Sequence, residues 1–325
     1  MLTLIKETSF DFIGRRKIGF IISLVTLVIG LGSIAFRGGL RLGVEFTGGV
    51  QLEVGIAGTT AADIAGIRTA VSAAGYDNRS IQRVVSGDRA SFLIHLPTTE
   101  AATSAASAGA EAARTVAATS ADAILQALRQ HFPDKTVTLL SLDSIGPKVG
   151  SELRLAALQA VLLSILLILI YIAWRFEWLF GVATVIALSH DLLLTLGLFS
   201  LFNKEVSLSI VAAFLTLAGY SVNDTIVIFD RIREELKLKQ RRESVDNIFN
   251  GAINKTLSRT LLTSTTTMLV LISLLFYGGD VIYDFAWVLA IGIVVGTYSS
   301  VFVAAPLVIE WYHRTAKAET ERVSA

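Results

Sequence analysis

Two periodicities divide this chain. Six runs, at 18–36, 153–173, 178–201, 206–229, 260–276 and 285–309, are apolar almost throughout. Each has the ~17–25 residues that an α-helix needs to cross a hydrocarbon core of about 30 Å. The pattern predicts six transmembrane helices. The first reads as an anchor, because its apolar stretch exceeds the ~7–15 residues of a cleaved signal and no A-x-A site follows. Of the prolines, Pro97, Pro133, Pro147 and Pro306, only the last falls inside a run. The spans are therefore expected to be mostly unbroken, which argues against a transporter site built on discontinuous helices.

Residues 37–150 carry shorter patterns. Val44-Glu45-Phe46 and Val50–Val54 alternate at period two on either side of Thr47-Gly48-Gly49, which predicts strands. A helix is expected from Thr60, with Ile64, Ile67 and Val71 on one stripe. Ser80–Val85, a Gly87-Asp88 turn and Ala90–Leu96 read as a hairpin. An Ala/Ser/Thr-rich insertion at about 100–112 leads into a helix ending at Phe132, with Ile124, Leu125 and Leu128 inward, and Val137–Leu142 closes the series as a strand. The order βαββαβ is that of the ferredoxin-like arrangement, two helices on one face of an antiparallel sheet. The expected fold class is a membrane α-helical bundle of six transmembrane helices with a small α+β ferredoxin-like domain between helices 1 and 2. Residues 1–17 and 311–325 flank it, and 151–310 hold helices 2–6 around a loop at 230–258.

Composition agrees, with 53% hydrophobic and only 17% charged residues in 325. The net charge of +1 indicates no partner, but its distribution sets an orientation. Arg15, Arg16 and Lys17 precede the first run, seven Lys and Arg residues crowd 231–255, and His313, Arg314 and Lys317 follow the last. The alternate loops are poor in Lys and Arg, so the positive-inside rule places both termini and the 230–258 loop in the cytoplasm and 37–150 outside. Glu234, Glu235, Glu243 and Asp246 interrupt the basic loop, which argues against nucleic acid. The absence of cysteine excludes disulfides, thiolate metal sites and thiol nucleophiles.

The candidate chemistry lies inside the runs. Asp224 sits within the fourth, roughly 8 Å from its end at Phe229. A charge at membrane depth costs about 2.5–3.5 kcal/mol even on lenient scales. Asn223 and Thr225 flank it. In the fifth run Arg259, Thr263, Thr266 and Thr267 follow i, i+4, i+7, i+8 spacing, which makes one polar face that could oppose Asp224. Burial disfavours an ionised carboxylate and a nearby cation favours it, so an arginine that approaches and recedes would make the acid a proton switch. The competing reading is interhelical hydrogen-bond glue, worth ~0.6 kcal/mol per contact. His190 and Asp191 stand midway along the third run and, being adjacent on a helix, are expected to point about 100° apart rather than at each other. A proton relay and a packing hydrogen bond suit them equally. Gly292, Gly296, Ser300 and Ala304 recur every four residues, a small-residue stripe for close helix packing. No second ligand accompanies His190 at helical spacing, so no metal site is expected. Nothing resembles a nucleophile–base pair or a phosphate loop, and no enzyme active site is expected.

Several phrases occur together in order: Phe10-Asp11-Phe12, Gly43–Gly49, Ser144–Gly150, Ala187–Asp191, Gly219–Glu234, Ser258-Arg259-Thr260 and Gly292–Pro306. Together they make the chain resemble, over nearly its whole length, the SecD/SecF family of protein-export subunits within the resistance–nodulation–division superfamily. Glu45 stands where the family more often has Asp, and the insertion at 100–112 is a second departure. The resemblance implies a SecD partner, docking on the SecYEG channel with YajC nearby, unfolded preprotein as substrate, and a location in the bacterial inner membrane. It also implies no cofactor beyond protons as coupling ion, with Asp224 and Arg259 in the proton pathway. Two rival functions are half of a proton-driven small-molecule or lipid exporter and a non-pumping assembly scaffold.

Overall fold

Why the chain builds one small mixed domain on six long helices is visible in which faces it buries. The computed structural model describes residues 8–57, 64–76, 81–86, 89–97, 110–239 and 243–324. Along the chain run α1 (Arg16–Phe36), a helical turn α2 (Val44–Thr47), β1 (Gly49–Ile56), α3 (Ile64–Ala73), β2 (Ile81–Ser86) and β3 (Arg89–Pro97). Then come α4 (Ala110–His131), β4 (Val137–Ile145), α5 (Pro147–Arg175), α6 (Trp178–Leu201), α7 (Leu208–Lys239) and α8 (Val245–Tyr277). The last are α9 (Gly279–Ser299), a π-helical turn at Ser300–Ala304 and α10 (Ala305–Ser324). Among the described residues, six helical segments are long and apolar enough to cross a membrane: α1, α5, α6, α7, α8 and the continuous run Ile282–Arg314. The Gly87-Asp88 turn, the expected helix start at Thr60 and residues 100–109 of the insertion lie outside the described residues.

Helices α7 and α8 reach well past the apolar runs that reveal them in sequence. Ile228, Ile232 and Leu236 continue the buried stripe of α7 at four-residue spacing, and Ile248, Phe249, Ala252 and Ile253 of α8 pack into the same cluster. Ser244 caps α8 by accepting a hydrogen bond from the Asn247 amide. Glu235, almost fully buried, receives Lys255 Nζ from α8 at 2.5 Å and pairs with Arg231 one turn back. The N-terminal arm is tied to the same region, where Asn250 and Asn254 side-chain oxygens accept the amides of Phe12 and Phe10.

Four antiparallel strands form the sheet of the α+β domain, in the order β2-β3-β1-β4. On β1, Val50, Leu52, Val54 and Ile56 are buried and alternate with half-buried Gln51, Glu53 and Gly55, the period-two signature of a strand covered on one face. Covering that face are Ile67 and Val71 of α3 and Ile124 and Leu128 of α4, none of them exposed.

Val44-Glu45-Phe46 is a helical turn and not the strand its alternation suggests. Three residues are too few to separate the two periods. Val44 and Phe46 are both buried, with Phe46 in the membrane-bundle cluster beside Val206 and Phe214. Gly48 (φ 72) and Gly49 (φ 133) then turn the chain into β1 through backbone conformations that side chains resist. Gly150 of α5 lies so close that a Cβ there would be 2.9 Å from the Gly48 amide nitrogen.

This strap is where the domain joins the bundle. The Gly43 amide donates to the Val206 carbonyl at 2.8 Å, and the Val206 amide to the Arg41 carbonyl at 2.7 Å. Beside that pairing Glu205 faces Arg41, Glu45, Asp284 and His95, whose Nδ1 is 3.8 Å from Glu205 Oε1. Burial pushes the Glu205 carboxyl up to about 7; Arg41 opposes this, while Glu45 and Asp284 add to it. Burial likewise holds the His95 imidazole below its ordinary value, against a backbone hydrogen bond at Gly48 and with some help from Arg41.

At the bundle's first crossing, α1 and α6 touch backbone to backbone: a Cβ on Gly197 would lie 2.6 Å from Gly30 Cα. Gly197→Val should push these helices apart and cost about 1–3 kcal/mol by overpacking, read as a lowered unfolding midpoint in detergent. A joint held with Glu205 protonated up to about 7, against 4.5 for an ordinary glutamate, takes up a proton. Its stability is therefore fullest below the lower value and is lost as pH rises through the upper one. The depressed His95 works the other way, below its ordinary 6.5. Hydrogen-exchange protection of the Gly43 and Val206 amides should accordingly fall most clearly as pH rises from about 6.5 through about 7 and then level off, and Glu205→Gln should remove that fall.

Candidate functional site

Inside the bundle the polar side chains of four helices meet at one short stretch of α9 and the π-helical turn. Close approach makes this possible. Gly292 faces Leu217 of α7 so tightly that a Cβ would come within 2.3 Å of its Cδ2, and a Cβ on Gly296 would be 3.1 Å from Ser221 Cβ. Ser300 and Ala304, at the same spacing, are fully buried. Pro306 has no amide hydrogen to continue the α-helical ladder. Just before it the ladder widens, the Ala305 amide donating to the Ser300 carbonyl five residues back.

Between them, Thr297, Tyr298, Ser299 and Ser300 address four neighbouring helices. Thr297 Oγ1 lies 3.5 Å from Asp224 Oδ2 on α7 and 2.8 Å from Ser264 Oγ on α8. The Tyr298 hydroxyl donates to the Gly19 carbonyl of α1 at 2.6 Å. Ser299 Oγ donates to Asp191 Oδ2 of α6 at 2.7 Å, and Ser300 Oγ is 3.0 Å from Thr225 Oγ1 of α7.

The two carboxylates are held differently. Asp191 is completely buried and also receives the Ser221 hydroxyl on Oδ2 at 2.5 Å. Its Oδ1 is 2.9 Å from His190 Nδ1. The expectation that His190 and Asp191 point apart is thus incorrect. The 100° step separates their Cβ directions, but Nδ1 sits near the main chain and swings back within reach of the adjacent carboxylate. His190 Nε2 is buried with no partner among the described residues. Asp224, 2% exposed, has a long contact from Thr297 and a weak one from Ser264, and no short hydrogen bond among the described residues. A buried carboxylate ordinarily collects several short hydrogen bonds, and Asp191 does while Asp224 does not.

The fifth span presents a different face from the one its spacing suggests. Thr263 and Thr266 hydroxyls bond back to their own helix, at the Thr260 and Thr263 carbonyls, and Thr267 does the same. The stripe turned inward is Thr256, Thr260 and Ser264, at four-residue intervals, with Ser264 bonded to Thr297 and also touching Asp224 weakly itself. Arg259 is exposed, and no ion pair joins it to Asp224, although its charge acts on that carboxylate through space. Asn223 is also exposed, on the outer side of α7. Thr297 and Ser299 escape the sequence reading altogether. Their signal is a run of four hydroxyl residues after Gly296 in an otherwise apolar span.

Six spans, a small α+β domain between the first two and acidic groups sunk among hydroxyls define a multi-pass membrane protein with a polar centre. Residues 124–314 match the family described as protein export membrane protein SecD/SecF, C-terminal, and residues 32–57 match the SecD/SecF GG motif. The protein translocase subunit SecF of Gemmatimonas aurantiaca is 40% identical over 309 residues, covering 95% of this chain and 89% of that one. The one of Desulfurispirillum indicum is 41% identical over 307 residues, 93% of this chain and 92% of that one. Among solved structures, SecDF from Thermus thermophilus, a translocon-associated membrane protein, superposes with a TM-score of 0.78 at 33% identity, covering 94% of this chain. SecDF in a super-membrane-facing form gives 0.69 at 34% identity and 98% coverage. This chain spans 39% and 41% of the length of those two SecDF chains. The chain belongs to the SecD/SecF family of protein-export membrane proteins, as a translocation subunit.

Replacing Asp191 tests how much the network contributes to the fold. Asp191→Leu leaves Ser221, Ser299 and His190 without their acceptor and should cost about 2–4 kcal/mol in detergent unfolding. Asp191→Asn keeps one acceptor oxygen and should cost clearly less.

Proposed function

We propose that the chain works with a SecD-type partner to convert the proton motive force into help for preprotein translocation, with Asp224 as the group that takes up and releases the proton. The observation that carries this is the contrast between the two buried acids. Asp191 is saturated by short hydrogen bonds and serves as a fixed anchor. Asp224 has only weak hydroxyl contacts, from Thr297 at 3.5 Å and from Ser264, and a charge, Arg259, nearby but not engaged. A carboxylate so placed calls for a further partner, either a proton or a closer arginine. Exchange between those two partners would shift α7 against α8 and α9. Asn223, Thr263, Thr266, His190 and Asp191 form the surroundings through which that exchange would pass. A proton crossing 100 mV releases about 2.3 kcal/mol, a useful bias for a two-state element.

Partnership is supported by the surface as well as by kinship. Asn223, Thr266 and Arg259 are exposed on α7 and α8, and polar groups facing lipid are costly. A second chain over this face would cover them. The SecDF chains are much longer than this one, which leaves room for such a partner. Docking on SecYEG, with YajC nearby, follows from the same reading. We read the α+β domain as ferredoxin-like, supported by its strand order and by two helices on one sheet face. The distribution of Lys and Arg supports an inner-membrane protein with both termini cytoplasmic and this domain periplasmic. The joint around Arg41, Glu45 and Glu205 would pass bundle motion to the domain. No catalytic role or cofactor is needed.

Asp224→Asn should abolish the proton-dependent part of preprotein export into membrane vesicles while the complex with the partner still co-purifies. Arg259→Gln should do the same. Full proton-dependent export by Asp224→Asn would sink the proposal, and loss of the complex would favour a scaffold.

A further inference from the structure

On the flank of the bundle, beneath the strap, a groove of about 450 Å³ runs between α5 and α6. Arg154, Leu158 and Ile165 of α5, Leu192 and Leu196 of α6 and Phe46 of the strap line it. Arg154 marks the end nearest the α+β domain and is exposed, with neither hydrogen bond nor ion pair among the described residues. Below Arg154 the walls are almost wholly apolar. From Arg154 to Ile165 the groove runs about 16 Å along α5 at about 1.5 Å per residue. One leaflet of hydrocarbon is about 15 Å deep.

We propose that this groove holds one acyl chain of a phospholipid from the leaflet on the α+β domain side, with the lipid phosphate on Arg154. Length and lining select the occupant. The groove runs about as far as one leaflet is deep, and walls this apolar hold a hydrocarbon chain without stranding any backbone amide or carbonyl, as an extended peptide would. Charge selects the headgroup end: a guanidinium forks onto phosphate oxygens and sits where the hydrocarbon begins, while the apolar walls below offer a headgroup nothing. The chain would lie against Phe46 and reach Ser189, the neighbour of His190. It would therefore wedge between the strap that bears the α+β domain and the helix that bears the saturated carboxylate.

The full chain, purified and reconstituted in nanodiscs, can be labelled with phosphatidylglycerol bearing a diazirine near the end of one chain, and the adducts mapped by mass spectrometry. Adducts should concentrate on peptides containing Ile165 and Leu193. Ala157→Trp and, separately, Leu196→Trp, each shown folded by its unfolding midpoint, should lower them about tenfold. A diacylglycerol probe with the same chain but no phosphate should label the groove about tenfold less, and Arg154→Gln should erase that difference. Labelling spread evenly over the lipid-facing sides of α1 and α5, unchanged by either tryptophan, would overturn the proposal. So would a Leu193→Cys variant that crosslinks in membranes to a second copy or to another protein through this groove.

Discussion

Burying two carboxylates in a bundle of apolar helices is the constraint on which the rest of the structure depends. Each carboxylate must find donors that do not carry apolar surface away from the core, and serine and threonine hydroxyls provide them at small volume. Hydroxyls are short, so the helices must stand close. That is why Gly292 and Gly296 face Leu217 and Ser221, where any side chain would collide, and why Ser299 reaches Asp191 from another helix. The π-helical turn ahead of Pro306 belongs to the same solution, since it carries Ser300 to Thr225 and keeps the widened backbone bonded. Polar satisfaction and close packing are here one requirement.

The same logic runs, with charge in place of hydroxyls, at the two ends of the bundle. At one end Glu235 draws α7 and α8 together through Arg231 and Lys255. At the other the Arg41–Gly43 strap exchanges backbone hydrogen bonds with Val206, and Glu205 sits half-buried beside His95 of the sheet. Lys204 adds a 2.6 Å bridge to Asp284 at the start of the last span. The α+β domain thus rests on a joint that contains titratable groups and is bonded to the loop between α6 and α7. Those two helices also carry Asp191 and Asp224, so a shift in the centre has a short path to the domain.

Much of this was legible in the residues. Long uncharged runs can be satisfied in only one way inside a membrane, as helices, so the six spans are readable from hydropathy. Helix limits were less so, because past the membrane α7 and α8 continue as amphipathic helices whose burial depends on each other. The strap does not follow its own alternation, because glycines on both sides, and the bundle beneath, decide its path. Asp224 was conspicuous as a lone acid in an apolar run. The direction in which Thr263 and Thr266 point was not, because a threonine in a helix can bond its own backbone as readily as a neighbour.

Sequence alone therefore determined the number of spans, the alternation that seats β1 on its core, and the presence of acid within the membrane. All three follow from solvation and from the fixed periods of helix and strand. Only the tertiary structure decided which acid is saturated, which hydroxyls serve it, and that Arg259 stands off from Asp224. Those outcomes depend on the rotation and separation of helices distant in the chain, and no local period encodes them.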